Sequence, residues 1–533
     1  MLLKQFIGGG GVVLALTAGM AVAEGGPNGL QKFMLYRSYV QDAPGCSVVV
    51  QDGTAAIGGA NAASGAATCP DAFAWAQLTN AVTQEFWNWG IDQTVWPASP
   101  LPLCSASVTS NCCDPDAAID PGTQPTQCPV FRADYDPISP LPAKPNGTPS
   151  GSVINHRGLV SADKIDPGRL LRDLELELVF RNKAMVDYIY RHDLYSREGL
   201  GARNRAQNAA IDDGDIAGAH GLTVRFPSDA VMVKADFLHQ DILLDQKLIQ
   251  PIEGSDVPNN PDYPYLTIYL EGDGSDDQVP GWYYMLAMTN ASKNLPIWHW
   301  YAMEHVGNLG RCDYIGCNDS FGYAANPAAQ AGANFGTAFI PPMIELNDDL
   351  TEGNAPLFVT ARVYDPVATG EEMTPALADL FQQMGIAAAV TDPDPRVISA
   401  DDPAWKNYRL KGTQSTFTTA NGIPTGMGAT ITEGGFVNSA SCTTCHSQAA
   451  ADKNGTSTLA GVGADWRPNL MGYNQVSMGA PDPNWFYGIG GPTVMATQVD
   501  FVWGILNAVC QDPAGSHGVC TTYPDAPTEV TGN

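Results

Sequence analysis

The 533-residue sequence predicts an α+β protein: an antiparallel β-sheet or sandwich core with flanking helices, followed by a mainly helical C-terminal segment. Three observations carry that expectation. Residues 167–207 keep leucines and other apolar side chains at helical spacing, the chain from about Leu222 alternates with a period of two, and Phe501, Val502, Leu506 and Val509 mark a closing helix.

In chain order, residues 1–23 read as a secretory signal, with Lys4 as the positive start, Ile7 to Val22 as the apolar run and Ala21-Val22-Ala23 as the cleavage pattern. A periplasmic or secreted location is therefore expected. No other segment approaches about 18 uninterrupted apolar residues, so no membrane span is expected in the mature chain. Residues 24–164 form a Cys-, Pro- and Gly-rich N-terminal region. Its helical piece is Asp71 to Trp89, and Trp75, Trp87, Trp89 and Trp96 read as core rather than as sugar platforms. Residues 97–151 read as an irregular, disulfide-held excursion.

A helical segment is expected over 165–210, opened at Pro167 and striped by Leu170, Leu174, Leu178, Met185, Ile189 and Leu194. Its arginines either pair with neighbouring acidic residues or face acidic groups elsewhere. The β-rich domain follows over 211–424. Its strand candidates are Val231 to Leu238, Tyr265 to Leu270, Trp282 to Met288, Ile297 to Val306, Leu357 to Tyr364 and Trp405 to Phe417, with a helix at Ala376 to Val390. Residues 425–533 make the last unit.

Charge excludes some partners. With 56 acidic against 27 basic residues and a net charge of −29, the chain repels nucleic acid and anionic lipid. The excess either keeps the exported chain in solution or suits a partner protein with a basic docking face.

That last unit contains Ser441-Cys442-Thr443-Thr444-Cys445-His446, a C-x-x-C-H run that reads as a c-type haem attachment site. Cys442 and Cys445 anchor the two vinyl groups and His446 is the proximal iron ligand, giving one covalent haem c. A thioredoxin-type dithiol would need a βαβ start, and a zinc ribbon a second C-x-x-C; the sequence has neither. Of the twelve cysteines, ten remain for disulfides in an oxidising compartment. Local closure pairs Cys312 with Cys317, Cys510 with Cys520 and Cys46 with Cys69, while the partners among Cys104, Cys112, Cys113 and Cys128 stay open. For the distal position, Met478 and Met495 in Gly-rich loops lead, with Met471 and His305 behind them. In a strand, His299 and His305 face one side and Glu304 the other.

From Thr425 onward the chain resembles a c-type cytochrome in its C-x-x-C-H and final helix, although Ala429 to Ala440 departs from the amphipathic first helix of small class I members. Over most of its length it resembles a group of large exported mono-haem cytochrome-like proteins of proteobacteria. The matching residues are Trp298-x-Trp300, Glu304-His305-x-x-Asn308, Cys312 to Gly322, Leu410-Lys411-Gly412-Thr413-Gln414 and the haem motif. The resemblance implies electron transfer with a redox partner and implies no substrate. The other reading is a mono-haem peroxidase- or oxidase-like enzyme with an open distal site, in which His305 or Glu304 handles protons.

Overall fold

The computed structural model describes residues 40–132, 175–245, 247–272, 279–308, 319–322, 373–386 and 394–418. Toward the C-terminus it describes 427–429, 431–432, 441–456, 479–481, 483, 486–488, 492–512, 520–522 and 524–528. The signal-like stretch 1–23, the Cys312–Cys317 pair and the strand expected at Leu357 to Tyr364 lie outside these residues.

Small elements come first: a hairpin of β1 (Val48–Gln51) and β2 (Thr54–Ile57), then the helix Pro70–Thr83. The core is an antiparallel sheet of β3 (Glu175–Arg181), β4 (Val231–His239), β5 (Thr267–Leu270), β6 (Gly281–Ser292), β7 (His299–His305) and β8 (Tyr408–Gln414). Its order is β3-β4-β6-β7-β8, and β5 pairs with the start of β6, along the edge that β7 takes further on. A last pair, β9 (Ala450–Ala451) and β10 (Thr497–Gln498), stands apart from it.

Alternation gives the sheet two faces. On the front face, Leu176, Leu178, Phe180, Val233, Ala235, Phe237, Tyr301 and Met303 pack against the helix Pro70–Thr83 and the helix Pro375–Gln383. The rear face presents Met232, Ala291, Trp300 and Ala302 to the helix Lys183–Arg191 and to the C-terminal unit. The front helix is tied to the sheet by polar contacts. Thr413 Oγ1 donates to Asp71, and His299 Nε2–H donates to the Pro70 carbonyl at 3.1 Å. Burial, then the neighbouring Asp319 and Asp42, hold the Asp71 carboxyl well above the usual range.

The strands fall close to where alternation places them. The stretch 175–181 does not: the expected helix over 167–207 gives way to β3, whose seven residues pair with β4, and helix resumes at Lys183–Arg191 and Arg197–Asp212. The reason is that Glu-Leu-Glu-Leu-Val-Phe-Arg alternates with period two while Leu178 also continues the i, i+4 spacing of Leu170 and Leu174, and the open edge of β4 decides between the two. The chain is α+β, and among the described residues the sheet packs on helices and not on a second large sheet. The expected C-terminal helix Val499 to Val509 is a short 3-10 turn, Trp503–Asn507. Asp500 and Phe501 carry φ of 49° and 69°, which no right-handed helix admits.

Among the described residues four disulfides are formed: Cys46–Cys69, Cys104–Cys112, Cys113–Cys128 and Cys510–Cys520. The first and last are the pairs local closure suggests. Among the described residues no helix is long and apolar enough to cross a membrane.

Burial pushes His299 down to about 4, against the raising effect of its Pro70 hydrogen bond. Below its ordinary pKa of about 6.5 the unfolded chain takes up a proton that the native ring refuses, so stability falls as pH drops from there toward 4. Asp193 and Asp319, raised by burial to about 7 and about 6, act in the opposite sense, so the informative comparison is between proteins. The wild type should lose more urea resistance than His299→Gln between about pH 7 and about pH 4.5. Equal losses contradict this assignment.

Candidate metal centre

The C-x-x-C-H run forms a one-turn helix, Cys442–His446, capped by Ser441, whose side-chain oxygen accepts from Thr444 N at 3.4 Å. On a helix, positions i, i+3 and i+4 share a side, so Cys442, Cys445 and His446 project together. Cys442 and Cys445 enter none of the disulfides. Cys442 is buried, with its thiol 3.7 Å from the Met427 carbonyl, and Cys445 is half-buried.

The turn is clamped from β8 by Gln414. Its Oε1 accepts from Thr443 N at 2.9 Å and from Thr443 Oγ1 at 3.1 Å, while its Nε2 donates to Ser441 Oγ at 3.0 Å and to Thr418 Oγ1 at 2.9 Å. On the other side, Trp503 Nε1–H donates to the Cys445 carbonyl at 3.2 Å, and Thr444 Oγ1 donates to the Gly479 carbonyl at 2.9 Å. The chain then enters β9, and Val499 N bonds the Ala449 carbonyl at 2.9 Å, which brings the segment 497–503 alongside.

That approach places the Phe501 carbonyl 2.8 Å from His446 Nδ1. A carbonyl only accepts, so Nδ1 carries the proton and Nε2 keeps its lone pair. Among the described residues no group bonds Nε2. Burial pushes the imidazole down to about 4, opposed by the Phe501 bond, so the ring is neutral near pH 7. Its flank is the Trp300 ring, with centroids 4.4 Å apart.

Phe501 is held in a left-handed conformation that a bulky residue rarely adopts, as are Asp500 beside it and Trp298, with φ of 64°. Asp500 fixes this knot. Its carboxylate accepts from Phe226 N at 2.7 Å, from Lys293 Nζ at 2.5 Å and from Trp298 Nε1 at 3.4 Å. The strain is concentrated where a carbonyl must be aimed at His446.

The sheet register shows what surrounds the motif. One row across the rear face is Arg181, Met232, Ala291, Trp300 and Gln414, the row that carries the motif's supports. Two residues along each strand, about 7 Å, lies the row of Lys234 and Thr289, and beyond it that of Glu177, Asp236 and Glu304. Lys234 pairs with Glu177 at 2.6 Å, and Lys411 pairs with Glu304 at 3.1 Å with both side chains almost fully buried. Asp236 accepts from Thr432 Oγ1.

The other sequence candidates scatter. His305 is on the front face, opposite Trp300; it stacks on Tyr265 at 3.5 Å, its Nδ1 accepts from Gly307 N and its Nε2 contacts the Pro264 carbonyl. Strand alternation turns it away from His446, and it is withdrawn as a distal ligand. Met495 stands 47% exposed, next to the bridge between Tyr487 and Val494. Met478 and Met471 lie outside the described residues. Sequence reasoning missed Phe501 and Asp500, whose role depends on positive φ, and gave no role to Gln414, although Trp300, Glu304, Lys411 and Gln414 all stand in the segments that carried the resemblance.

The donor set fits haem c: two thiols and a neutral imidazole on one side of a turn, an oriented Nε2 and an aromatic flank. No family model, curated protein or solved structure matches the chain.

Gln414→Ala removes the acceptor of the buried Thr443 N–H and should cost about 1–3 kcal/mol in urea unfolding. A loss below about 0.5 kcal/mol, ordinary for a surface substitution, contradicts the clamp.

Proposed function

We propose that this chain is an exported electron-transfer protein carrying one haem c, attached through Cys442 and Cys445 and ligated by His446. When bound, the haem supplies a one-electron Fe(III)/Fe(II) couple. The observation that supports this reading most strongly is the 2.8 Å bond from His446 Nδ1–H to the Phe501 carbonyl. Such a bond fixes the tautomer and ring plane of a metal-binding histidine and raises its basicity. Gln414, Ser441 and Trp503 hold the helical turn, Asp500 holds Phe501, and Trp300 shields the imidazole. A rigid surround keeps reorganisation small, which favours electron transfer over chemistry that needs a moving substrate.

The distal position falls to Met478 or Met471 before Met495, which is turned to solvent. The net charge of −29 suits a redox partner with a basic docking face in the periplasm or outside the cell. One observation favours the second reading, a mono-haem oxidoreductase with an open distal site. The Glu304–Lys411 pair shares the rear face with Trp300 and the motif, and a buried ion pair is costly enough to need a reason. Glu304, which the sequence reading named as a proton handler, is on that face; His305 is not.

Protein matured in a host with haem-attachment machinery should give the spectrum of a six-coordinate, low-spin haem with reversible reduction and no reaction with carbon monoxide. Met478→Ala and Met471→Ala identify the distal ligand by conversion to high spin in one of them. A high-spin wild type that binds carbon monoxide overturns the carrier in favour of the oxidoreductase.

A further inference from the structure

A cleft of about 670 Å³ opens at the edge of the front face, away from the motif. It lies between the C-terminal half of the helix Pro70–Thr83, the turn after it, the start of the helix Lys183–Arg191, the start of β4 at Val231 and the turn after β6 at Asn294. Its volume is in the range of small-molecule sites, about 300–1,000 Å³.

The lining is unusual in one respect. Six carboxamides face it: Gln77, Asn80, Gln84, Asn88, Asn182 and Asn294. A carboxamide is the uncharged side chain that offers a donor pair and an acceptor together, which matches a hydroxyl that both donates and accepts. The charged lining residues are Glu85, Asp229 and Lys183, so neither an anion nor a cation finds a concentrated counter-charge. Trp89 and Phe131 add ring surface of the kind that C–H faces pack on. Trp89 belongs to the core, as its sequence context suggests, and also lines the cleft.

Four of the amides are already positioned by the protein. Asn80 bonds both backbone groups of Ala55. Asn182 accepts from Met185 N and Val231 N and donates to the Asp229 carbonyl. Asn88 donates to Glu85, and Asn294 donates to the Ser228 carbonyl. Each fixed amide keeps part of its bonding capacity, and fixing it beforehand lowers the entropy cost of binding. The side-chain amides of Gln77 and Gln84 have no hydrogen-bond partner among the described residues and complete the ring as adaptable members.

We propose that this cleft binds a neutral oligosaccharide. It opens at the margin of the sheet between elements of both faces, and none of its lining residues belongs to the motif or to its supports, so the proposal does not rest on the haem reading, and either can fail alone. The test is calorimetric titration of the full chain with maltotriose and with cellotriose, using trigalacturonate as the charged control. Sub-millimolar binding of one neutral trisaccharide is expected, with trigalacturonate weaker. The double variant Gln77→Ala/Gln84→Ala, at positions that are not fully buried, should weaken it by about tenfold with an unchanged melting temperature. No heat with either neutral sugar, tighter binding of trigalacturonate, or unchanged affinity in the double variant overturns the proposal.

Discussion

One hydrogen bond organises the C-terminal part of this chain: His446 Nδ1–H to the carbonyl of Phe501, 2.8 Å long and joining residues 55 apart in sequence. To present that carbonyl the backbone accepts two consecutive residues at positive φ, and the cost is offset by Asp500, whose carboxylate gathers a backbone N–H, an ammonium and an indole N–H. The neutral imidazole that results has its lone pair on Nε2. Rigidity, tautomer and basicity of the ring all follow from the same contact.

The sheet is what allows so long-range a contact to persist. Its front face is filled by apolar side chains and a buried helix, and that packing fixes the strand register. The register then sets the rear face, where Trp300 on β7 and Gln414 on β8 stand as direct neighbours under the motif. A slip by one residue would exchange Trp300 for His299 or Tyr301 and send the Gln414 clamp to the wrong side. The same alternation places Glu304 with the motif and His305 away from it.

Much of the fold is legible because strands write their period directly. Val231 to Leu238 and Ile297 to Val306 become β4 and β7 with boundaries shifted by a residue or two. Residues 175–181 are ambiguous locally, since Leu178 stands two residues from Leu176 and four from Leu174, and only the pairing partner resolves them. The 3-10 turn at 503–507 was hidden for a different reason: Phe501 and Val502 look like a helical stripe, but tertiary bonds from Asp500 override that preference. In the site, the motif itself is local and readable. Its supports come from β7, β8 and the segment 497–503, and no spacing rule connects Gln414 to Thr443 or Phe501 to His446 before the sheet is assembled.

The central claim is that Cys442 and Cys445 are thioether anchors for a haem whose iron meets His446. The most direct measurement is mass spectrometry of the peptide containing residues 441–446, cut from protein matured in a haem-attaching host. The account predicts a peptide heavier by one haem, with that mass lost on replacing both cysteines by alanine. A peptide of unmodified mass, with the two thiols reduced or joined to each other, contradicts it.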